Sequence, residues 1–333
     1  MQNIKKGIWL HNLPGTEEEV RAVVKRLSAH GFHLVIPCVK NPDGYLDYHS
    51  QVGRIRPSFQ AFDPLRVMVE EAAAHAMEVH PWLCVFPEGE GSALLADHPE
   101  YAAVMRPGPK TIKGDYGIHW ACSSREEVHR YELSLYRELL ARYPVTGVHL
   151  DYIRNCTRFA GVESCFCPHC REKFHEESGY GGEIADLERG HPYWWQWVRW
   201  RTGRIDSFVK ELRGLADSFK KEISAAVFTD YPVCIEEVGQ DWGSWGRENL
   251  VDLLIPMTYT QSPQVMAGQT AAHKIHAAGT RLWEGIRTFK DMQPENLRTN
   301  LETLRRQGVE GVVLFEYNLF TDEFLGIVDD VLR

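Results

Sequence analysis

A (β/α)8 barrel is the architecture this sequence predicts, on three observations. Short β-rich runs alternate with longer amphipathic segments to the end of the chain, most of those runs are almost continuously apolar, and no linker or composition shift divides the 333 residues. The eight expected strands are residues 7–12, 32–39, 78–86, 146–151, 223–229, 251–259, 281–286 and 311–317. Stretches such as HLVIPCV and VDLLIPMTY suit parallel strands with helices over their faces or a filled barrel interior beside them.

Helix signals separate the strands in order. Thr16 and Glu19 form a capping box ahead of Val20, Val23, Val24 and Leu27, and Gly31 supplies the stop. Asp63 before Pro64 places an N-cap ahead of a first-turn proline, opening a helix through Met77. Ser124 and Glu127 repeat the capping box for a helix toward Arg142, and Pro294 opens a final crossover helix ending at Gly308. Trp194, Trp195, Trp197 and Trp200 form a packing stripe on a helical segment. Eight such units in this length are the arithmetic of a TIM barrel, expected as a single domain over residues 1–333 with an insertion at 152–191 after strand four. An open doubly wound sheet is the competing architecture, but the chain has no G-x-G-x-x-G or G-x-x-x-x-G-K-[ST] phosphate loop. The long connections at 40–63 and 152–191 are candidate lids.

Composition narrows the partners. With 37 Lys+Arg against 46 Asp+Glu the net charge is -9, which disfavours general electrostatic binding of nucleic acid. No apolar run approaches the roughly 18–20 residues that span a bilayer, so no membrane association is expected. The first ten residues lack an apolar leader and reach a strand at once, so the expected location is cytoplasmic.

In a barrel of this kind the strand ends at the C-terminal face carry the chemistry. There the sequence places Trp9 and His11, Lys40, Trp82 and Glu88, Asp151 with Tyr152 and Arg154, Asp230, Thr258 and Tyr259, Glu284, then Glu316, Tyr317 and Asn318. Asp151, closing GVHLD, is the leading catalytic candidate, with Glu316, Glu284 and Asp230 as further carboxylates. Two carboxyl groups across a cleft divide acid and nucleophile or base roles in most glycoside hydrolases. Trp9, His11, Trp82, Tyr152, Arg154, Trp242, Tyr259, Trp283 and Tyr317 are the expected substrate contacts, since flat sugar faces stack on indole and phenol.

Four of the eight cysteines bunch at Cys156, Cys165, Cys167 and Cys170, a pattern that in a cytosolic chain favours metal over disulfide. The C-x-C-x-x-C spacing lets three sulfurs face one cation. Structural zinc takes four ligands, so Cys156, Cys122 or His169 must complete the set. A closed thiolate site is a loop staple and leaves no position open for catalysis.

GVHLDYIRNC, CFCPHCREKFHEESG, GQDWGSW and LLIPMTYT, with GIWLHN, FDPLRVMVEEA and HPWLCVFP, resemble the family 10-like glycosyl-hydrolase-like barrel proteins over most of the chain. The resemblance implies a TIM barrel acting on glycans with an acid after strand four, here Asp151. The cysteine segment is similar to that of the family 42 β-galactosidases. That likeness implies a structural zinc held by Cys122, Cys165, Cys167 and Cys170, with Cys156 left over. The Asn-Glu pair those enzymes carry after strand four is replaced here by Asp151-Tyr152, so their mechanism does not transfer.

The expected function is a glycoside hydrolase cleaving an oligo- or polysaccharide. Asp151 would be nucleophile or base and Glu316 or Glu284 the proton donor, by a retaining, inverting or substrate-assisted route. No organic cofactor is expected. The alternative is a catalytically silent carbohydrate-binding barrel, which would keep the aromatics and lack a carboxyl pair facing one pocket. A metal-dependent hydrolase is disfavoured because no strand offers H-x-H or H-E-x-x-H.

Overall fold

A computed structural model describes residues 4–106, 117–157, 163–289 and 292–332, and in it the strands close into a ring. They are β1 (Lys5–Leu10), β2 (Leu34–Lys40), β3 (Glu78–Val79), β4 (Trp82–Cys84), β5 (Gly147–Asp151), β6 (Glu222–Val227), β7 (Leu253–Pro256), β8 (Arg281–Arg287) and β9 (Gly311–Phe315). All ladders are parallel, and β1 pairs with both β2 and β9, which closes the barrel. β3 and β4 are two pieces of one stave, both paired with β2. The sequence predicts one strand there. It breaks at His80-Pro81 because proline has no N–H to give the ladder, although the Pro81 carbonyl still accepts from His149 N–H at 2.9 Å. Eight staves therefore remain, the predicted (β/α)8 barrel.

The helices are α1 (Glu17–Ala29), α2 (Pro64–Ala74), α3 (Ala93–Asp97), α4 (Glu126–Arg142), α5 (Pro168–Ser178), α6 (Trp194–Phe219), α7 (Val233–Val238), α8 (Trp242–Arg247), α9 (Pro263–His276), α10 (Pro294–Arg306) and α11 (Asp322–Leu332). Two predicted caps form: Thr16 accepts from Glu19 N–H at 3.3 Å and Asp63 from Arg66 N–H at 3.2 Å. The third does not. α4 starts after Arg125 with no side-chain cap, because Ser124 is engaged elsewhere: its hydroxyl takes a bond from Cys170 Sγ and its carbonyl lies 3.1 Å from His169 Nε2. No helix of the described residues is long and apolar enough to cross a membrane.

Three connections at the C-terminal face are long, one more than expected. Residues 41–63 form a wall in which Leu46 and Tyr48 are fully buried. The second runs from β4 to α4 and carries α3, Trp120 and Cys122. The third follows β5 and carries α5; its residues 158–162 lie outside the described residues. Lys40 and Glu88, expected at the site, are instead fully buried: Lys40 Nζ lies 2.6 Å from Glu88 Oε1, 2.7 Å from Glu132 Oε1, and donates to the Val85 carbonyl at 2.9 Å. One ammonium faces two carboxyls, and burial pushes the proton affinity of Glu132 well up. This cluster anchors the second connection to β2.

The barrel interior is filled by Trp9, Leu34, Ile36, Cys38, Trp82, Cys84, Ala226, Leu253, Ile255, Trp283 and Val313. Three indoles are bulky for an eight-stave barrel, and glycines on other strands make the room. Gly311 stands opposite Trp283 in register, and a Cβ there would meet the Trp283 ring at 2.5 Å; one at Gly285 would meet Trp9 at 2.7 Å. We predict that Gly311→Ala lowers stability by about 1–3 kcal/mol through overpacking. Gly268→Ala, at an exposed position of α9 where an added Cβ meets nothing within 4 Å, should raise it by up to about 1 kcal/mol. Urea unfolding of the two variants checks the opposite signs, and equal effects would contradict this packing.

Candidate functional site

A cleft of about 530 Å³ opens at the C-terminal end of the barrel, lined from β1 by Trp9 and His11, from β4 by Trp82, and from β5 by Asp151, Tyr152 and Arg154. The far wall is Phe228, Thr229 and Asp230 after β6, Met257 and Tyr259 after β7, Arg287 on β8 and Phe315 on β9. His11 stacks on Trp82 with ring centroids 5.7 Å apart, and Tyr259 stacks on Phe315 at 5.7 Å. A second cleft of about 640 Å³ adjoins it, sharing His11, Pro42 and Tyr152. Its floor is polar: Arg56 donates to Asp47 at 2.6 Å and to both Asp43 oxygens at 2.8 and 3.1 Å, and burial raises the Asp47 carboxyl to about 6.

Asp151 ends β5 and is 9% exposed. Its Oδ1 accepts the Tyr152 backbone N–H at 2.6 Å. That bond requires the chain to turn at once, and Tyr152 adopts φ 51, a left-handed conformation that a bulky residue enters at a cost of about 1–2 kcal/mol. The turn brings Asp151 and Tyr152 into the same cleft, although consecutive strand residues normally point apart. Burial raises the Asp151 carboxyl to about 6, while the Tyr152 N–H, Arg154 and Trp82 favour its charge. Arg154 is held among the rings of Tyr152, Trp120 and Phe228, its guanidinium carbon 4.8, 5.1 and 5.1 Å from their centroids.

The other carboxylates are placed differently. Asp230 is exposed, lines the same cleft, and accepts from Gln269 Nε2 at 3.3 Å. Glu316 stands behind His11, its Oε2 3.8 Å from His11 Nδ1 and without a hydrogen-bond partner. Glu284 does not reach the cleft: it is fully buried on the outer side of β8, accepting from Thr258 Oγ1 at 2.8 Å and His273 Nδ1 at 3.0 Å. His273 Nε2 in turn lies 3.0 Å from Thr229 Oγ1, so Glu284 anchors the turn that carries Asp230.

Three expected sugar contacts are also elsewhere. Trp242 is buried at the start of α8, donating to the Phe228 carbonyl at 2.9 Å and packing on Tyr231. Trp283 fills the barrel interior beside Gly7 and Gly311, away from the cleft. Tyr317 turns to α1, its hydroxyl accepting from Arg26 at 3.3 Å. Trp9, His11, Trp82, Tyr152, Arg154 and Tyr259 are brought together as expected. Sequence reasoning missed Arg287, Phe315, Phe228 and Met257, and period-2 parity would have found two of them. Trp283, Gly285 and Arg287 share one face of β8, as Val313 and Phe315 share one face of β9.

The cysteines form a second constellation. Cys122, Cys165, Cys167 and Cys170 are buried with their sulfurs within 4.8 Å of one another. Cys122 and Cys170 lie 3.4 Å apart and Cys167 and Cys122 3.6 Å apart, against about 3.8 Å for the edge of a tetrahedron with Zn–S of about 2.3 Å. Hydrogen bonds from the other three hold the Cys167 thiol far below its usual range, and Val104 N–H donates to Cys165 Sγ at 3.4 Å. The donor set thus fits a tetrahedral thiophilic cation. Cys156 is not part of it: it packs in the main core, its N–H donating to Ser164 Oγ at 3.1 Å. Phe174, Trp194, Trp197 and Trp200 pack around the cluster, while Trp195 of the predicted stripe is exposed.

Comparison with known proteins agrees with this barrel. The PgaB (BpsB) glycoside hydrolase domain of Bordetella bronchiseptica superposes with a TM-score of 0.79 at 14% identity, covering 99% of each chain. The β-amylase catalytic domain of Paenibacillus polymyxa does so at 0.67 and 10% identity, over 99% of this chain and 98% of that one. At such identities the likeness is one of fold. An S-layer-related protein of Niallia circulans is 23% identical over 266 residues, 69% of this chain and 16% of that protein, so the chain corresponds to a small part of that relative. Residues 3–297 match the glycosyl hydrolase-like 10 family model, and the chain belongs to that family.

Proposed function

We propose that the protein is a glycoside hydrolase acting on an oligo- or polysaccharide in the cleft at the C-terminal barrel face. The observation that carries this reading is Asp151, a buried carboxyl raised to about 6, sharing one aromatic-walled cleft with the exposed carboxylate of Asp230. Carboxyl groups whose environments differ divide acid and base roles. We therefore assign Asp151 the proton-donor role, the reverse of the sequence expectation, and Asp230 the nucleophile or base role, with Glu316 acting through His11. Trp9, Trp82, Tyr152 and Tyr259 supply the apolar faces for sugar rings, and Arg154 and Arg287 the hydroxyl contacts. The four cysteines bind structural zinc that staples the connection after β5 to the start of α4.

The pH dependence gives the sharpest check. A donor must be protonated, so kcat/KM on a cleaved polysaccharide should fall as pH rises through about 6. A profile that instead rises through that pH returns Asp151 to the base role. Asp151→Asn should reduce turnover by roughly 100- to 10,000-fold, with much smaller loss on aryl glycosides whose leaving group needs no proton. Full activity of this variant on the polysaccharide would remove Asp151 from the chemistry, and only a parent protein that cleaves no polysaccharide would leave a binding barrel.

Stability has its own sign. The Asp151 proton binds more tightly in the folded chain than at the ordinary value of 3.8, so this contribution is complete below about 4 and lost as pH rises to about 6. The loss is about 3 kcal/mol at about 1.4 kcal/mol per unit. Asp151→Asn should therefore melt higher than the parent at pH 8 and not at pH 4. A lower melting temperature at pH 8 would make Asp151 a structural ion.

For the cysteines, elemental analysis after dialysis should find about one zinc per chain. Cys167→Ser should lose it and melt lower, because metal bound only by the folded state stabilises it. Metal-free parent protein with an unchanged melting temperature would contradict the staple.

A further inference from the structure

At the opposite, N-terminal end of the barrel a second group of ligating side chains meets, away from the cleft and from the cysteines. Glu78 begins β3, His80 joins β3 to β4, and Glu222 begins β6. One ligand atom from each lies within 4.8 Å of the others. The His80 imidazole is 1% exposed, and its Nε2, 4.0 Å from Glu222 Oε2, has no hydrogen-bond partner. Its other nitrogen is tied: Nδ1 lies 2.9 Å from Ser224 Oγ. A buried ring nitrogen without a partner is costly, and this one lies beside two carboxylates.

The space around that nitrogen is made by the backbone. A Cβ on Gly147, which begins β5 between the two staves, would come within 2.6 Å of His80 Nε2 and 2.7 Å of the Glu222 carbonyl oxygen. Any side chain there would push the ring out of position. Glu78 is exposed and Glu222 is partly so, which leaves a path from solvent to a nitrogen that is itself covered.

We propose that Glu78, His80 and Glu222 bind a divalent transition-metal ion such as zinc at the N-terminal face of the barrel. One imidazole nitrogen and two carboxylates suit zinc, cobalt or manganese, whereas magnesium and calcium prefer all-oxygen sites. The second shell is in place, because His80 Nδ1–H can donate to Ser224 Oγ and fix the ring with Nε2 outward. Three protein ligands leave room for water on the metal. The Arg281 guanidinium, 2.5 Å from Glu222 Oε2, competes for that carboxylate, so the ion is held less tightly than at a four-thiolate site. The ion would tie β3 to β6 across β5, a stabilising cross-link with no part in the chemistry of the cleft.

The test uses the intact protein as isolated, with its cysteine site left loaded, dialysed into metal-free buffer and titrated with zinc chloride in a calorimeter. The expected result is uptake of one further ion per chain, weakened at least tenfold in both Glu78→Gln and Glu222→Gln and unchanged in Asp151→Asn. Magnesium chloride should give no binding heat. Glu78 lies at the surface, so its variant stays folded, and thermal melting confirms that. No further zinc uptake by the parent, or an affinity equal to the parent's in either glutamine variant, overturns the proposal. A zinc-soaked crystal decides the place: the anomalous peak should lie between His80 Nε2 and the two carboxylates, and a peak elsewhere overturns the assignment.

Discussion

Inside a closed barrel the indole N–H of Trp9 can only be satisfied by another buried group, and it is satisfied by His149 Nε2 at 3.0 Å. Indole is a donor only, so Nε2 must accept and Nδ1 must carry the hydrogen, which it gives to Ser224 Oγ at 2.8 Å. Burial holds His149 well below its usual proton affinity, so the ring stays neutral. One hydrogen-bond chain thus fixes the Trp9 ring that floors the cleft, passes through β5 and β6, and reaches His80 near the other end of the barrel. The glycines opposite Trp9 and Trp283 exist because this interior is packed with rings that have little freedom to move.

The same interior explains what the sequence disclosed and what it withheld. Apolar runs mark eight staves and local start signals mark α1, α2, α4 and α10, because each signal is local. The failures at the site come from facing. Trp283 and Glu284 were both placed in the cleft, yet neighbours on a strand point to opposite sides. The outcome is one ring in the barrel interior and one carboxyl bonded to His273 of α9. Parity would have excluded one of the pair and drawn in Arg287 and Phe315. Asp151 and Tyr152 escape that rule only through the left-handed turn at Tyr152, and nothing in DYIR marks it.

The cysteine cluster shows a different limit. The C-x-C-x-x-C spacing carries three of four sulfurs, but the fourth, Cys122, comes from 43 residues earlier than Cys165 in sequence numbering. Spacing leaves it level with the nearer Cys156; the resemblance to the family 42 β-galactosidases implies Cys122, and the fold brings Cys122 to the other three. The choice has a local consequence: Ser124, a good N-cap by type, spends its hydroxyl and carbonyl on Cys170 and His169, and α4 begins uncapped. Where one residue is claimed by a helix end and by a buried polar cluster, the cluster wins, since a buried unpaired group costs more than an exposed helix end.

A carboxyl that burial has raised sits on rigid β5, a solvated one sits on a turn anchored by Glu284 and His273, and rings from β1, β4, β7 and β9 stand around them. The most direct measurement is a crystal of Asp151→Asn soaked with a mixture of gluco-, galacto-, manno- and N-acetylglucosamine oligosaccharides. The account requires a sugar ring against Trp9, Trp82 or Tyr259, with the glycosidic oxygen within hydrogen-bond distance of the residue-151 amide and Asp230 flanking the same linkage. Sugar bound with neither carboxyl position at the linkage, or bound only outside this cleft, would contradict it.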